Sequence, residues 1–178
     1  DGALHPAWTW AFVRSEPIRF ANVVGGEVGD GSDAVSLSDY INSQFDPSLA
    51  WRDVEWLRSV WDGPIVLKGI QTVDDAVLAA EAGVEAIALS NHGGRQLDGA
   101  RSTIAALPEI AGAVGDRIEV LFDGGIRSGQ DVLKALGRGA RGCLIGRAQL
   151  YGLAAGGEAG VRQALDVIRA ELEVAMTL

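Results

Sequence analysis

The chain has very little of the two side chains that most often hold metals or form covalent cross-links. Among its 178 residues there is one cysteine, Cys143, and there are two histidines, His5 and His92. Cys143 falls in an apolar run, where a lone cysteine is a small core residue and neither a disulfide partner nor a nucleophile. His5 has no partner at metal-ligand spacing. We therefore assign no metal to the chain.

Positive charge and long apolar runs are also scarce. The 15 lysines and arginines are outnumbered by 24 acidic residues, which gives a formal net charge of −9, whereas a nucleic-acid-binding protein needs a basic surface. No apolar stretch approaches the roughly 20 residues that cross a bilayer, and no secretory signal is visible. We expect a cytoplasmic protein. Peripheral contact with the inner face of the cell membrane stays open.

What the chain does have is 24 glycines, a hydrophobic content of 48% and a regular alternation of two patterns. Short, nearly all-apolar runs typical of buried strands alternate with segments typical of helices. We predict strands at 64–68, 85–89, 118–122 and 142–145, and helices at 73–82, 102–114, 129–137 and 158–175. This alternation predicts an α/β fold whose parallel sheet is covered by helices on its outer face.

The polar residues of chemical interest all follow the carboxyl ends of predicted strands. They are Lys68, Ser90, His92, Arg95, Asp123, Arg127 and Arg147. In an α/β barrel the carboxyl ends of the strands form the face that carries the active site. We therefore expect these side chains to meet at one site.

Residues 90–98 have the composition of a reaction site. His92 supplies an imidazole, a group that can accept a proton near neutral pH, and Gly93 and Gly94 permit a tight turn or close approach of a flat ligand. Arg95 supplies a guanidinium group that can bind a carboxylate through two hydrogen bonds. Together they suit proton abstraction from a small hydroxy acid. The alternative is a histidine in a glycine-rich turn beside a solvated arginine.

Two further loops have the composition of a phosphate site. One is the sequence Asp123-Gly124-Gly125-Ile126-Arg127, and the other is Gly146-Arg147. In an α/β barrel a phosphate commonly lies at the loops after the last two strands, near the N-terminus of a short helix. We expect glycine N–H groups near the anion, Arg127 and Arg147 as its charge partners, and Asp123 as the acceptor for a sugar hydroxyl. Each loop by itself is also compatible with a simple turn.

These residues resemble those of a known family, the FMN-dependent α-hydroxy-acid dehydrogenases and oxidases of the lactate, mandelate and glycolate types. The resemblance rests on four segments: Leu67-Lys68-Gly69-Ile70, the string Ser-Asn-His-Gly-Gly-Arg-Gln-Leu-Asp at 90–98, residues 122–127, and Ile145-Gly146-Arg147. Residues 42–70 are most similar to the quinone-linked lactate and mandelate branch. The resemblance covers essentially the whole chain.

The resemblance implies FMN as cofactor and oxidation of an L-2-hydroxy acid, lactate-like or mandelate-like, to the 2-oxo acid. His92 would be the base, acting on the α-carbon proton or on the hydroxyl proton, and Arg95 would bind the substrate carboxylate. Lys68 would lie beside the pyrimidine edge of the flavin and stabilise its reduced, anionic ring. Ser90 would hydrogen-bond the flavin. The ribityl chain and phosphate would be held by Asp123, Gly124, Gly125, Ile126, Arg127, Gly146 and Arg147.

The resemblance also implies a (β/α)8 barrel, of which this chain supplies roughly the last four β/α units, the C-terminal half. A complete barrel has eight strands and about 250 residues, whereas this chain offers four predicted strands. An open four-stranded sheet leaves two edges and an apolar face for association. We expect the chain to work with an N-terminal half-barrel segment of the same protein, and we expect a homo-oligomer.

The first part of the chain is the least regular. We predict an irregular excursion over residues 1–47, with a flexible, turn-rich linker at 25–32, followed by the half-barrel at 48–178. The aromatic run around Trp8, Trp10 and Phe12 is either part of a lid or membrane-facing patch, or a helix that packs on the barrel exterior.

Three interpretations of function remain open on the sequence. The first is half of an FMN-dependent 2-hydroxy-acid oxidoreductase, which we favour. The second is another FMN-binding or phosphate-binding barrel enzyme such as an isomerase, which would share the loops at 123–127 and 146–147 but would not need His92 and Arg95 in these positions. The third is a non-catalytic half-barrel that binds only phosphate, FMN or a partner chain. The identity of the hydroxy acid and the choice between oxygen and quinone as acceptor stay open.

Overall fold

The computed structural model describes residues 6–15 and 34–178. The described residues divide into two compact units, with the boundary between Leu49 and Ala50. The turn-rich linker predicted at 25–32 and His5 lie outside the described residues. The described part of the first unit contains two helices, α1 (Pro6–Arg14) and α2 (Ala34–Ser43). The sequence analysis considered a helix for the aromatic run, but it missed α2 because it treated the segment as irregular.

The second unit alternates helices and strands in the predicted order. Its elements are α3 (Arg52–Val60), β1 (Val66–Ile70), α4 (Val73–Glu81), β2 (Ala86–Ser90), α5 (Thr103–Val114), β3 (Glu119–Asp123), α6 (Gly129–Gly137), β4 (Gly142–Leu144) and α7 (Arg147–Thr177). The four strands form one parallel sheet in the order β1-β2-β3-β4. Parallel neighbours that follow one another in the chain need a helical crossover between them, as in consecutive β/α units of a barrel.

Two boundaries differ from the prediction in ways that matter for the site. Lys68 lies inside β1 and not after its end, because the pairing passes from Lys68–Ala88 to Ile70–Leu89 and leaves Gly69 as an extra residue. Such a bulge leaves the extra residue unpaired while the strand continues beyond it, so β1 extends past Lys68 to Ile70. Helix α7 begins at Arg147 and not at residue 158, and it is kinked at Gly156 and Gly157. The first nine residues of α7 precede this kink, whereas the prediction relied on the amphipathic pattern of the residues that follow it.

The core is centred on β2. All five residues of this strand are buried, and Ile87 and Leu89 are fully so. Ala76 and Ala79 of α4, together with larger apolar residues of α5 and β3, belong to the same cluster. Burial of β2 on both faces is typical of a parallel strand covered by helices, and it fixes Ser90, the last residue of β2, in the interior at the carboxyl edge of the sheet.

Helix α6 approaches the second half of α7 so closely that only a glycine fits at the contact. A Cβ atom on Gly129 would lie 2.6 Å from the carbonyl oxygen of Ile168 and would also collide with the backbone around Leu172. The Gly129 N–H donates to the Glu171 carboxylate at 2.9 Å. The start of α6, directly after the predicted phosphate loop, is therefore anchored on α7.

We expect Gly129→Ala to lower the free energy of unfolding by about 1–3 kcal/mol, because the added methyl group has no room and must displace backbone. The matched control is Gly137→Ala at the other end of α6, where a Cβ atom would meet nothing within 4 Å. That change should be neutral or slightly stabilising, since alanine favours helix. Urea unfolding measures both. Equal stability of the two variants would contradict the assignment.

Candidate active site

The carboxyl ends of the four strands surround one cavity of about 450 Å³. The predicted site residues that line it are Lys68, His92, Arg95, Asp123, Gly124, Gly125, Ile126, Arg127, Gly146 and Arg147. Ser90 is the one predicted residue that does not line the cavity, because it is fully buried beneath it. Residues from four separate loops and strand ends thus meet in one place, as expected where parallel strands share an edge.

A hydrogen-bonded triad joins three neighbouring strands at this edge. The Lys68 ammonium on β1 donates to the Ser90 hydroxyl on β2 at 3.0 Å and lies 2.8 Å from Oδ2 of Asp123 on β3. The Ser90 hydroxyl donates to the same Oδ2 at 2.7 Å, and it accepts the backbone N–H of His92 at 3.0 Å. A hydroxyl has one donor and two acceptor positions, so Ser90 uses all three within the chain.

The triad keeps Asp123 ionised. Burial raises the pKa of the Asp123 carboxyl, but hydrogen bonds from Lys68 and Ser90 and the positive charge of Lys68 outweigh burial and hold that pKa below its ordinary value. A charged carboxylate that accepts charge-assisted hydrogen bonds is an effective anchor for an ammonium group. Lys68 is therefore held at the cavity by an anionic partner.

His92 has an unusual backbone conformation. Its φ is 54°, and it is the one non-glycine residue with positive φ in the described part of the chain. It opens a short 3-10 helix, His92–Gly94, in which Gly93 and Gly94 also have positive φ. A Cβ atom placed on Gly69, the bulge residue of β1, would lie only 3.0 Å from Nε2 of the His92 imidazole. The imidazole therefore lies over β1 at a position that a larger residue at 69 would obstruct.

The other end of the cavity has the features of an anion site. Helix α7 begins at Arg147 after Gly146, which has no side chain to cap it, so the N–H groups of its first turn and the positive end of its dipole are available. The Arg147 guanidinium reaches back to the His92 turn, where its Nη2 lies 3.4 Å from the Cβ position of Gly93. Arg127 and Gly125 line the same cavity.

The loop that carries Arg127 is held by hydrogen bonds from its backbone to the first turn of α6. The Asp131 carboxylate on α6 accepts the backbone N–H groups of Arg127 at 3.0 Å and Ser128 at 3.1 Å, and the Ser128 hydroxyl caps the helix through the Asp131 N–H. This reciprocal capping box fixes the end of the loop. The Arg127 N–H is thereby used inside the protein, so its guanidinium is the group left to meet an anion.

Three contributions to this site were missed by the sequence analysis. They are the bulge at Gly69, the side-chain contacts of Asn91, and the Ser90 hydroxyl as the junction of the triad. The first two had a signal, since a glycine after Lys68 and an asparagine before a glycine turn are both typical of irregular backbone. The third had none, because it depends on strand register.

Cys143 lies in β4 and is partly buried, and burial raises the pKa of its thiol. In the described ranges, no group of three or more histidine, cysteine, aspartate or glutamate side chains could hold a metal ion. No helix in those ranges has both the length and the apolar character needed to cross a membrane.

Comparison with known proteins places the chain in a family. Residues 1–178 match the model of the FMN-dependent dehydrogenase family, and the chain belongs to that family. The resemblance to FMN-dependent α-hydroxy-acid dehydrogenases and oxidases is therefore confirmed, and FMN is the cofactor of this enzyme family.

Similar curated proteins include two with different names. The L-lactate dehydrogenase of Caulobacter vibrioides (strain NA1000 / CB15N) is 51% identical over 179 residues, which cover 100% of this chain and 46% of the relative. The pre-mycofactocin synthase of Mycobacterium tuberculosis (strain CDC 1551 / Oshkosh) is 47% identical over 179 residues, covering 99% of this chain and 44% of the relative. The chain thus spans about half the length of the curated relatives it matches.

Solved structures give the same picture. A crystal structure of the monotopic membrane protein (S)-mandelate dehydrogenase is similar with a TM-score of 0.89 and 38% identity, over 99% of this chain and 46% of that one. Mandelate oxidase with (S)-4-hydroxymandelic acid has a TM-score of 0.76 and 50% identity, over 80% of this chain and 40% of that one. With the sequential parallel sheet, these similarities confirm the predicted α/β fold of a partial barrel.

We expect Asp123→Asn to remove part of the acid dependence of stability. The folded-state pKa of Asp123 lies below its ordinary value of 3.8, so the ionised carboxylate stabilises the fold above that value, and this contribution is lost as pH falls through the folded-state pKa. The stability difference between wild type and Asp123→Asn should therefore shrink below about pH 4.

Urea unfolding of both proteins from neutral pH into acid measures this difference. Asp116→Asn is the matched control, because Asp116 is an exposed carboxylate in a turn and lies outside the triad. A difference between wild type and Asp123→Asn that stays constant across the acid range would refute the role of the triad.

Proposed function

We propose that the protein containing this chain oxidises a small L-2-hydroxy acid, lactate-like or mandelate-like, to the 2-oxo acid, with FMN as cofactor. The observation that carries the proposal is the single cavity lined by Lys68, His92, Arg95, Arg127 and Arg147 in a member of the FMN-dependent dehydrogenase family. It combines a proton acceptor, a carboxylate-binding group and an anion site. The names L-lactate dehydrogenase and (S)-mandelate dehydrogenase among the relatives support the substrate class.

The chain's residues fit FMN. The uncapped start of α7 with Arg127 and Arg147 suits the phosphate, and both protein contacts of Asp123 go to Oδ2, which leaves Oδ1 for a ribityl hydroxyl. Gly124, Gly125, Ile126 and Gly146 would line the path of the ribityl phosphate. When bound, FMN takes up the two electrons that leave the hydroxy acid.

The substrate is held and deprotonated by the His92 turn. Arg95 binds the carboxylate through its planar guanidinium, and His92, three residues earlier, accepts a proton from the substrate, either from the α-carbon or from the hydroxyl. Conversion of the alcohol to the ketone releases two protons and two electrons: the imidazole takes one proton, and the two electrons and the other proton would pass to FMN when it is bound. Both side chains are exposed in this chain.

Lys68 supplies positive charge at the same cavity. Its ammonium, oriented by Ser90 and Asp123, stabilises the negative charge that develops next to it as the substrate is oxidised. The predicted direct hydrogen bond from Ser90 to the flavin does not fit this arrangement, because Ser90 is fully buried and its hydroxyl is fully used within the chain. In this scheme Ser90 acts on the cofactor through the position of Lys68.

Sequence identity to the relatives does not decide which substrate this protein uses. The lactate dehydrogenase and the pre-mycofactocin synthase are 51% and 47% identical to the chain, so proteins with different names are similarly close. The proposal of a 2-hydroxy acid therefore depends first on the pair His92 and Arg95 at the cavity, and the names of the relatives are additional support.

We further propose that an N-terminal half-barrel segment of the same protein completes the site within a homo-oligomer. The support is the four-stranded sheet, the exposure of His92 and Arg95, and the 46% share of the lactate dehydrogenase that the chain covers. Turnover of 2-hydroxy acids by the monomeric 178-residue chain alone would contradict this.

Peripheral contact with the inner face of the cell membrane is proposed for α1. Trp10 and Val13 on this helix are 60% and 71% exposed, Arg14 lies 4.3 Å from the Trp10 ring centroid, and the similar (S)-mandelate dehydrogenase is described as monotopic. Aromatic and basic side chains together favour a membrane interface. Failure of the protein to float with phospholipid vesicles would rule this contact out.

The central test is flavin reduction. The FMN-loaded protein should lose its flavin absorbance when L-lactate or L-mandelate is added without oxygen, and His92→Ala should keep FMN but slow this step by at least about 100-fold, because the proton acceptor is gone. Stopped-flow absorbance measures the rate. Full-speed reduction by His92→Ala would show that another group is the base, and no reduction by wild type would remove the proposed function.

Arg95→Lys should chiefly weaken substrate binding. A lysine keeps the charge but loses the two-hydrogen-bond geometry, so the half-saturation concentration for flavin reduction should rise about 10- to 100-fold. Arg162→Lys on the exposed surface of α7 is the matched control and should change nothing. An unchanged half-saturation concentration in Arg95→Lys would count against carboxylate binding by Arg95.

A further inference from the structure

The turn that carries His92 has an unfavourable backbone conformation, and a small set of hydrogen bonds holds it. His92, Gly93 and Gly94 have φ values of 54°, 70° and 72°, a left-handed run that an L-residue such as histidine disfavours. Such a run persists only where its surroundings fix it. The Ser90 hydroxyl holds the entry by accepting the His92 N–H at 3.0 Å.

The exit of the turn is held by Asn91. Its side-chain Oδ1 accepts the Gly93 N–H at 3.0 Å, and its backbone carbonyl accepts the Gly94 N–H at 3.0 Å. Its Nδ2 donates to the carbonyl of Arg101 at 3.4 Å, across the loop. One side chain therefore connects the middle of the turn to the segment that leads into α5.

Asn91 does not share the cavity of the reacting groups. That cavity is lined by His92, Lys68 and Asp123, whereas Asn91 lines a neighbouring cavity of about 440 Å³ on the side of α5 and α6. The hydrogen bonds of Asn91 go to the backbone of Gly93, Gly94 and Arg101, so its effect on His92 passes through the backbone of residues 92–94. That backbone sets the imidazole over Gly69, whose Cβ position is 3.0 Å from Nε2.

We infer that Asn91 is a positioning residue for His92: its side-chain amide closes the left-handed turn and so fixes the imidazole over the bulge in β1. The inference rests on the proposed function, in which His92 is the proton acceptor. Arg95 shares the dependence, since its N–H meets the His92 carbonyl at 3.5 Å at the end of the same turn.

The test uses two variants of the FMN-loaded protein. Asn91→Ala removes the acceptor for the Gly93 N–H, and flavin reduction at saturating hydroxy acid should slow about 100-fold, the effect of displacing a reacting group by about 1 Å. Bound FMN should be retained, because the hydrogen bonds of Asn91 go to the backbone of Gly93, Gly94 and Arg101 and to no residue proposed to hold the cofactor. Asn91→Asp restores the acceptor oxygen and should recover most of the rate.

A second measurement separates positioning from general loss of structure. Hydrogen exchange at the Gly93 amide, followed by NMR, should be slow in wild type, fast in Asn91→Ala and slow again in Asn91→Asp, with unfolding midpoints that stay close together. Arg101→Ala is the matched control. It removes the contacts of the Arg101 side chain with Ala105 and Glu109 but keeps the backbone carbonyl that Asn91 contacts, so it should change the Gly93 exchange and the reduction rate far less than Asn91→Ala does.

The outcomes are distinct. Reduction at the wild-type rate by Asn91→Ala, or a Gly93 amide that exchanges equally fast in wild type and in Asn91→Ala, overturns the inference. If wild type itself does not reduce its flavin with any 2-hydroxy acid, the proposed function fails, and the exchange data still decide whether Asn91 closes the turn.

Discussion

The site depends on one buried hydroxyl. Ser90 ends the most buried strand of the sheet and links the ammonium of Lys68, the carboxylate of Asp123 and the backbone of His92, which come from three successive parts of the chain. Because the hydroxyl uses its single donor and both acceptor positions, the geometry of each partner is set by the other two. Burial leaves little freedom in this arrangement. Water cannot reach the Ser90 hydroxyl, so a partner that moved away would leave a polar group without any hydrogen bond, which costs free energy.

The charge at the cavity is opposite in sign to that of the whole chain. The chain as a whole has a net charge of −9, yet the cavity is lined by Lys68, Arg95, Arg127 and Arg147, with Asp123 as the one carboxylate among its lining residues. A cavity of this sign within an acidic protein concentrates small anions at one place. An acidic surface that disfavours nucleic acid is therefore compatible with a cationic cavity that binds small anionic ligands.

Much of this arrangement could be predicted from the sequence, because it depends on local signals and one topological rule. Helix α6 was predicted with its observed bounds, and the structure shows what fixes its start, a capping box formed by Ser128 and Asp131. The meeting of Lys68, His92, Asp123 and Arg147 follows from the rule that parallel strands share one carboxyl edge.

What could not be predicted depends on register and on backbone conformation. The bulge at Gly69 requires the pairing partners of β1, the positive φ of His92 has no counterpart in composition, and the early start of α7 was hidden by Gly156 and Gly157. The sequence resemblance implies a role for His92, but the contacts that hold it in place come only from the three-dimensional arrangement.

Helix α7 lines the cavity at its first turn and packs on the start of α6 with its far half, and this links its two ends energetically. Its first turn, after Gly146, opens onto the cavity, while its far half packs on Gly129 and receives that residue's N–H on Glu171. An anion bound at the first turn of α7 would stabilise the helix, and the packing of its far half on α6 would stabilise it too. Anion binding and this packing therefore favour each other by thermodynamic linkage. Loss of the C-terminal turns would loosen ligand binding from a distance, and a bound ligand would in turn protect the tail of the protein against proteolysis.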